Sequence, residues 1–383
     1  MPGVALLWLA ATTALGVFII LILFARGARS IPNLADQAPR TDGPLVSVVF
    51  AARDEGANIE ATVTSLLGQT YERLEIVAVN DRSVDDTGSV MERMATRDPR
   101  IRVLHVTELP PGWLGKNHAL DAGAALAGGE YLLFTDADII FDREAVARAV
   151  AFVESRDVDH LTLGPELESP TPMLALVVNF FSLGFLLLFR PWLAHHPERQ
   201  EHMGVGAFNL VRTSLYRGFG GHSRIALRPD DDIKLGRLVK LARGRQMVAG
   251  GMGVIRVRWY STVRELAHGL RKNTFAGLNY SLPYAIGAVV IQYVVNVWPF
   301  VAVLVTSGPT RWLNLATALM LMAMYAAVAA GSRSKAWLAF GYPLAAVIFS
   351  WIIMSATWLT IRRGGIEWRG TFYRLAELKA NRV

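Results

Sequence analysis

Two kinds of apolar pattern alternate along the chain. The first is the uninterrupted run. Val4 to Ala25 is 22 residues without a charge, and at about 1.5 Å per residue it reaches roughly 33 Å, enough for a bilayer core. A cleaved signal peptide does not explain it, because it lacks a basic start and is too long. Three comparable runs follow late in the chain, Leu282–Ser307, Trp312–Ala330 and Trp337–Ile361, with Trp and Tyr near several ends as interfacial anchors. A further run, Met173–Trp192, falls in the middle. If it crossed a membrane it would divide a soluble domain between the two sides, so it is expected to be interfacial or buried.

The second pattern fills Leu45 to about Gly250. Short β-branched runs alternate there with helical spacing, which predicts an α/β domain with a largely parallel sheet. Strands are expected at Leu45–Ala52, Leu74–Asn80, Ile101–Val106 and Tyr131–Thr135. Between them, Asn58–Leu67 places Ile59, Val63, Leu66 and Leu67 at helical spacing. Ser83 with Asp86 resembles a capping box, and the Ala-rich helix Lys116–Ala127 is expected to stop at Gly128-Gly129. Ser261–Tyr280 mixes Arg264, His268, Arg271 and Lys272 with Leu266, Leu270 and Phe275, an amphipathic helix suited to a membrane surface. No internal repeat is visible.

Composition narrows the class. At 52% hydrophobic and 19% charged, the chain is neither disordered nor an ordinary soluble enzyme. It has no cysteine, which excludes disulfides, thiolate metal sites and thiol nucleophiles. The net charge of +7 comes largely from Lys and Arg beside apolar runs. That suits anionic headgroups and argues against a nucleic-acid partner. Arg26 and Arg29 set the end of the first run on the cytoplasmic side. The tail 362–383, with six Lys/Arg against two Glu, asks for the same side. Three later crossings would put it outside, so one run, placed at 282–307, is expected to double back.

Candidate chemistry gathers where strands end. Asp136-Ala-Asp138 directly follows an apolar strand, so both carboxylates can reach one hard cation, Mg²⁺ or Mn²⁺, that bridges substrate phosphates. Solvated loop aspartates would look the same. Asn80-Asp81-Arg-Ser-Val-Asp85-Asp86-Thr87 ends a second strand, and Ala51-Ala52-Arg53-Asp54-Glu55-Gly56 ends the first. Helix capping is the plainer account of each, yet three acidic strand ends would share one sheet edge. In Gly112-Trp-Leu-Gly-Lys116-Asn-His, a lysine at a helix start can meet a phosphate. Asp230-Asp231-Asp232 opens another helix, where mutual repulsion should raise one pKa, as a general base requires. An acidic helix N-terminus accounts for it equally well.

Taken in order, these segments resemble the inverting family 2 glycosyltransferases over roughly Leu45–Trp259. Further segments, GWLGKNHA at Gly112–Ala119, GFGGH at Gly218–His222 and Ile366–Tyr373, resemble a membrane-bound subgroup that includes carotenoid-acid glycosyltransferases. Ceramide glucosyltransferases share its broader plan. Ile255 stands where the processive synthases carry Gln before Arg258-Trp259, which disfavours polymer synthesis.

The resemblance implies an α/β GT-A fold, a nucleotide-diphospho-sugar transferase domain with transmembrane helices at both ends. The implied division is an anchor at 1–28, the transferase domain at 40–258, an interfacial helix at 259–281, a transmembrane bundle at 282–361 and a basic tail at 362–383. It implies a nucleotide sugar, a UDP-sugar first among them, held by Ala52, Asp54, Glu55, Asp81, Lys116 and Asp136. A divalent metal, Mg or Mn, would sit on Asp138 with Asp136. Asp232 or Asp231 would be the base, with register favouring Asp232 and leaving Asp230 the most dispensable. Arg258, Trp259 and Trp368 would line the side of a lipid acceptor. The expected place is the cell membrane, multi-pass, with the catalytic domain cytoplasmic. The rival readings are a nucleotidyl- or phosphosugar transferase, and a non-catalytic scaffold or carrier.

Overall fold

The computed structural model describes residues 2–380. The side chain of Lys272 and residues 381–383 of the basic tail lie outside the described residues. Helix α1 (Pro2–Ser30) leads into β1 (Val46–Ala52), α2 (Gly56–Leu67), β2 (Leu74–Asp81), α3 (Thr87–Ala95), β3 (Ile101–Val106) and α4 (Gly115–Leu126). Then come β4 (Tyr131–Asp136), β5 (Ile140–Phe141), α5 (Ala145–Arg156), β6 (His160–Leu167), α6 (Pro172–Phe189) and β7 (Asn209–Arg212). The domain ends with α7 (Thr213–Gly218), α8 (Asp231–Leu241) and β8 (Gln246–Val257). Beyond it lie α9 (Val263–Gly277), α10 (Leu282–Gln292), α11 (Trp298–Val305), α12 (Gly308–Gly331) and α13 (Tyr342–Arg363). The hairpin β9 (Gly365–Trp368) and β10 (Thr371–Arg374) and then α14 (Leu375–Ala380) close the described chain.

Eight strands form one sheet in the order β3-β2-β1-β4-β7-β6-β8-β5. Strands β3, β2, β1 and β4 run parallel, while β7 is antiparallel to both β4 and β6. Strands β1, β2 and β4 are buried on both faces and are mostly apolar runs, whereas the edge strand β3 exposes Arg102 and His105. Val48, Phe50 and Ile76 pack into one cluster, and Val49, Val77 and Val79 into another across the sheet. Each such side chain, when fully buried, contributes about 1.5–3 kcal/mol.

One local expectation fails for a tertiary reason. Ser83 and Asp86 make no capping box: Asp86 precedes α3 without a side-chain cap bond, and Ser83 Oγ instead accepts from Asp54 N at 3.1 Å. Helix α4 ends at Leu126 with Ala127 as its cap, within a residue of the expected stop at the Gly pair. Gly129 is needed for close approach, because a Cβ there would lie 2.5 Å from Ser47 Oγ and 2.7 Å from Ser47 N.

Among the described residues, five helical runs are long and apolar enough to cross a membrane: Gly3–Ser30, Pro172–Leu193, Leu282–Val305, Gly308–Gly331 and Ala336–Arg363. The middle one, α6, leaves the sheet at β6 and returns at β7, and these strands pair. Its inner face, Leu176, Phe180 and Leu183, packs with Tyr325 and Tyr342 of α12 and α13. The run 282–305 does not double back on itself. It is helical throughout, with a π-turn at Tyr293–Val297. Helix α12 follows it back to the α/β domain, where Ser332 Oγ donates to Asn179 Oδ1 at 2.7 Å and Arg333 pairs with Glu166 at 3.3 Å. Helix α13 starts there and ends in the β9–β10 hairpin, which also rests on the domain through Arg369 and Glu55. The segments before and after the last apolar helix are therefore both tied to the α/β domain. Its Ile352 packs with Leu266 and Leu270 of α9 and with Leu174 and Val177 of α6.

Candidate active site

Parallel pairing aligns three strand ends. Ala51 of β1 registers with Asp136 of β4, and Ala52 with Asn80 of β2. The chain therefore leaves the sheet at Asp54–Glu55, Asp81 and Asp136–Asp138 along one edge, where open α/β sheets bind ligands. Ala52 is buried at the end of β1. Asp54 is exposed, adopts φ 55°, and accepts from Val84 N at 2.8 Å, which ties the first two loops together. Asp81 is buried, and Arg82 donates to both of its oxygens, at 2.7 and 3.0 Å.

Lys116, in the first turn of α4, reaches across this edge. Its Nζ lies 2.7 Å from Asp136 Oδ1 and 3.4 Å from Asp231 Oδ2. Burial alone would lower this ammonium, but the fields of Asp136, Asp231 and Asp232 outweigh it and raise it above its ordinary value. The second acid of the pair, Asp138, is pushed up to about 7 by burial, then by the like charges of Asp136 and Glu55.

Asp231 and Asp232 occupy the first turn of α8. Asp232 Oδ2 accepts from Gly206 N and Oδ1 from Ile233 N, both at 2.8 Å. Its carboxyl rises to about 7, through burial first and the Asp231 charge second, with Lys116 opposing. Asp230 belongs to another structure. Arg228, 6% exposed, donates to both of its oxygens at 2.8 Å. Being dispensable for chemistry would not make Asp230 dispensable for folding.

The acceptor-side candidates are not brought together. Arg258 is exposed. Trp259 stacks at 5.2 Å from Phe181 and 4.9 Å from Tyr260. Trp368 packs in a different cluster, with Leu114, Phe275 and Tyr373, and Phe349 touches both clusters.

Three further positions border the site, of which only His222, within Gly218–His222, and Arg369, within the tail segment, lay in segments the sequence singled out. Gly206 donates to Asp232 while its Cα abuts Asp136, 2.6 Å from where a Cβ would stand to Asp136 Oδ2. Nothing in the local sequence marks it. Arg369 donates to the Arg53 carbonyl and pairs with Glu55 at 2.7 Å; its only signal was the tail segment in which it lies. His222 is buried behind the site, with its Nδ1 2.7 Å from Tyr216 Oη, and burial followed by the Lys116 charge lowers it to about 3.

Among the described residues no group of three or more His, Cys, Asp or Glu could hold a metal by itself. Asp136 and Asp138 offer two oxygen donors of like charge, which suits a hard cation that takes one or two carboxylates and completes its shell with substrate phosphates.

Comparison with known proteins agrees with this geometry. Residues 47–215 match the family model described as Glycosyl transferase family 2. An uncharacterized glycosyltransferase of Haemophilus influenzae is 34% identical over 126 residues, 33% of this chain and 37% of that protein. The 4,4'-diaponeurosporenoate glycosyltransferase of Staphylococcus haemolyticus is a distant match, 22% identical over 260 residues, 65% of this chain and 66% of that protein. The chain thus spans between about a third and two thirds of the length of these curated relatives. Among solved structures, the mannosyltransferase PcManGT from Pyrobaculum calidifontis, in complex with GDP-Man and Mn2+, superposes with TM-score 0.55 at 20% identity, over 93% of this chain and 98% of that one. That likeness and the sheet order make the fold GT-A, with long apolar helices near the N-terminus and in the C-terminal region. Residues 47–215 thus form a domain that matches glycosyltransferase family 2.

Proposed function

We propose that this protein transfers a single sugar, with inversion, from a nucleotide-sugar donor to a membrane lipid or terpenoid acceptor. The observation that carries the reading is the convergence of Asp136, Lys116 and Asp231 on one edge of the sheet. Ala52, Asp54, Glu55 and Asp81 hold the nucleoside, with a UDP-sugar the first donor to try. Asp136 and Asp138 would hold a divalent cation, Mg²⁺ or Mn²⁺, and when bound it neutralises charge on the diphosphate. Lys116 adds a fixed cation at the same edge.

Asp232 accepts the proton of the acceptor hydroxyl. A carboxyl near 7 is well matched to that task at neutral pH. The hydroxyl oxygen bonds to the anomeric carbon as the bond to the diphosphate oxygen breaks, and the electron pair departs with the nucleoside diphosphate. One displacement inverts the centre, so no carboxylate nucleophile is required. Asp231, paired with Lys116, orients the edge and supports its neighbour's proton affinity.

The apolar helices support a lipid acceptor, and the names of relatives include a diaponeurosporenoate glycosyltransferase. In this reading 1–28 anchors the chain, 40–258 is the transferase domain and 259–281 is interfacial. Within 282–361, α10–α11 and α12 cross and return while α13 lies along the surface, so the tail 362–383 stays on the cytoplasmic side with the catalytic domain. Of the acceptor-side candidates, Trp259, which packs with Phe181 of α6 and Tyr260, is the one beside the apolar helices; Arg258 and Trp368 stand apart from it.

The test incubates membranes of an overexpressing strain with a panel of nucleotide sugars. It measures the released nucleotide and the mass of the lipid extract. Nucleoside diphosphate plus a lipid heavier by one sugar is expected. Release of pyrophosphate would instead make the protein a nucleotidyltransferase, and no turnover of any donor would leave a scaffold or carrier.

A further inference from the structure

A buried hydroxyl without a partner lies where the apolar helices join the α/β domain. Tyr280 stands between α9 and α10 and is 3% exposed. Packing accounts for its ring, which meets Phe275 edge-on at 5.6 Å in one cluster with Leu114, Ala285, Ile353 and Ile366. Packing does not account for its Oη, because among the described residues nothing bonds to it. Phenylalanine would fill the same space without leaving a buried polar atom unpaired, which ordinarily costs stability.

The backbone is unusual as well. Tyr280 has φ 54° and follows Asn279 at φ 52°, left-handed values that a bulky side chain rarely adopts. Ending α9 requires only backbone bonds there, Asn279 N to the Ala276 carbonyl at 2.9 Å and Tyr280 N to the Phe275 carbonyl at 2.8 Å. Glycine would make both at less cost. The hydroxyl therefore needs an account of its own.

A second hydroxyl shares its condition. Thr357 of α13 is 0% exposed, and its Oγ1 also has no partner among the described residues. It lies one turn beyond Ile353 and on the same helix face. The opposite wall of the cluster belongs to the α/β domain. Leu114 immediately precedes α4, and Leu227 packs on the same cluster. Asn117 Nδ2 donates to the carbonyls of Ile225 and Arg228 at 2.8 and 2.9 Å, so this stretch is fixed to the turn that carries Lys116. Asp231 and Asp232 follow it at the start of α8. The cluster thus joins the reaction centre to the apolar helices.

We infer that Tyr280 donates to an uncharged oxygen at the polar end of the acceptor, that Thr357 supplies a second hydroxyl there, and that the acceptor's chain lies along α10 and α13. The inference rests on the lipid-acceptor reading above and adds the residues that receive the acceptor. Burial pushes the Tyr280 phenol above its ordinary value, with the Arg228 charge opposing, so it remains a neutral donor.

The test uses the full-length protein in detergent and follows binding by native mass spectrometry. The probes are geranylgeraniol and the hydrocarbon of equal length. The alcohol should bind about tenfold tighter than the hydrocarbon, the size of one neutral hydrogen bond. Tyr280→Phe should lose most of that preference while melting no lower than the unaltered protein, and Thr357→Val should weaken it. Equal binding of alcohol and hydrocarbon by the unaltered protein overturns the inference, as does a preference that survives in Tyr280→Phe. A Tyr280→Phe protein that loses the preference and also melts well below the parent would make the hydroxyl structural, which overturns it too. A protein that shows the preference through Tyr280 but binds neither UDP nor GDP with Mn²⁺ would keep this site and sink the transferase reading.

Discussion

The ammonium of Lys116 lies 2.7 Å from the carboxylate of Asp136, in the space between the strand-end acids and the N-terminus of α8. Asp231, 3.4 Å away on the other side, completes the bridge. Lys116 therefore ties the donor half of the site to the base half, and its removal exposes three carboxylates to one another. Lys116→Ala is expected to lower kcat/KM for the donor by at least a hundredfold. Lys116→Arg should recover little of it, because a planar fork does not replace a point charge between two acids. Steady-state kinetics with saturating acceptor check this, and near-normal kcat/KM in Lys116→Ala would refute it.

Asp138 allows a test in which stability and activity move in opposite directions. Its carboxyl is raised from 3.8 to about 7, so folding increases its proton affinity. That favourable contribution is complete below the unfolded value and is lost as pH rises to about 7. Asn imitates the protonated acid. In chelator, Asp138→Asn should melt above the parent at pH 8, and the gap should narrow at pH 5. The same variant should be inactive. Chelator should inhibit the parent, with Mn²⁺ or Mg²⁺ restoring it, and full activity in chelator would exclude a metal role for the pair.

Asp232 and Asp231 separate by their partners. Asp232→Asn should lower turnover by about 10²–10⁴-fold, the usual size of general-base help, with donor affinity nearly unchanged. In the parent, activity should fall as pH drops below about 7, because the base must be ionised to accept a proton. Asp231→Asn should weaken donor binding through Lys116 and shift that limb. If Asp231→Asn is dead while Asp232→Asn keeps most turnover, the roles are reversed.

Two glycines of one loop should respond differently. A Cβ on Gly206 would stand 2.6 Å from the Asp136 carboxylate, a side chain that can swing aside. Gly206→Ala should therefore fold and lose activity at least tenfold. A Cβ on Gly204 would strike the backbone carbonyl of Asp232, which cannot yield without moving α8. Gly204→Ala should fail to accumulate as folded protein. Thermal melting beside an activity assay distinguishes the two, and equal stability losses would contradict the account.

Arg369 joins the C-terminal hairpin to the first strand-end loop through Glu55 and the Arg53 carbonyl. Arg369→Ala should raise the donor KM several-fold more than it lowers kcat, because it loosens a wall of the nucleotide side and leaves the base in place. Its melting temperature should barely move, since the pair is exposed and such pairs contribute about 0–1 kcal/mol. A loss confined to kcat would place the hairpin on the acceptor side instead.

The sequence by itself determined the parts whose cause is local. Strands β1, β2 and β4 follow from apolar runs that bury both faces of a parallel sheet, β3 from a shorter run at its edge, and the expected bounds of all four lie within a residue of the observed ones. The acids stand at strand ends because the apolar runs stop there. The five long apolar runs are likewise a property of consecutive residues. Tertiary structure alone decided which of these parts meet. Ser83 was drawn from a helix cap to the Asp54 loop because β1 and β2 are neighbours in the sheet. Arg369 meets Glu55 across 314 residues, and Lys116 meets Asp231 only because α4 and α8 open toward the same edge. Helix α13 has the composition of a crossing helix, yet it packs on α6 and α9, and the segments on either side of it are tied to the α/β domain by Arg333 and Arg369. Hydrophobicity along a chain records how much surface must leave water; which surface covers it depends on side chains far away in sequence, and no local pattern encodes them.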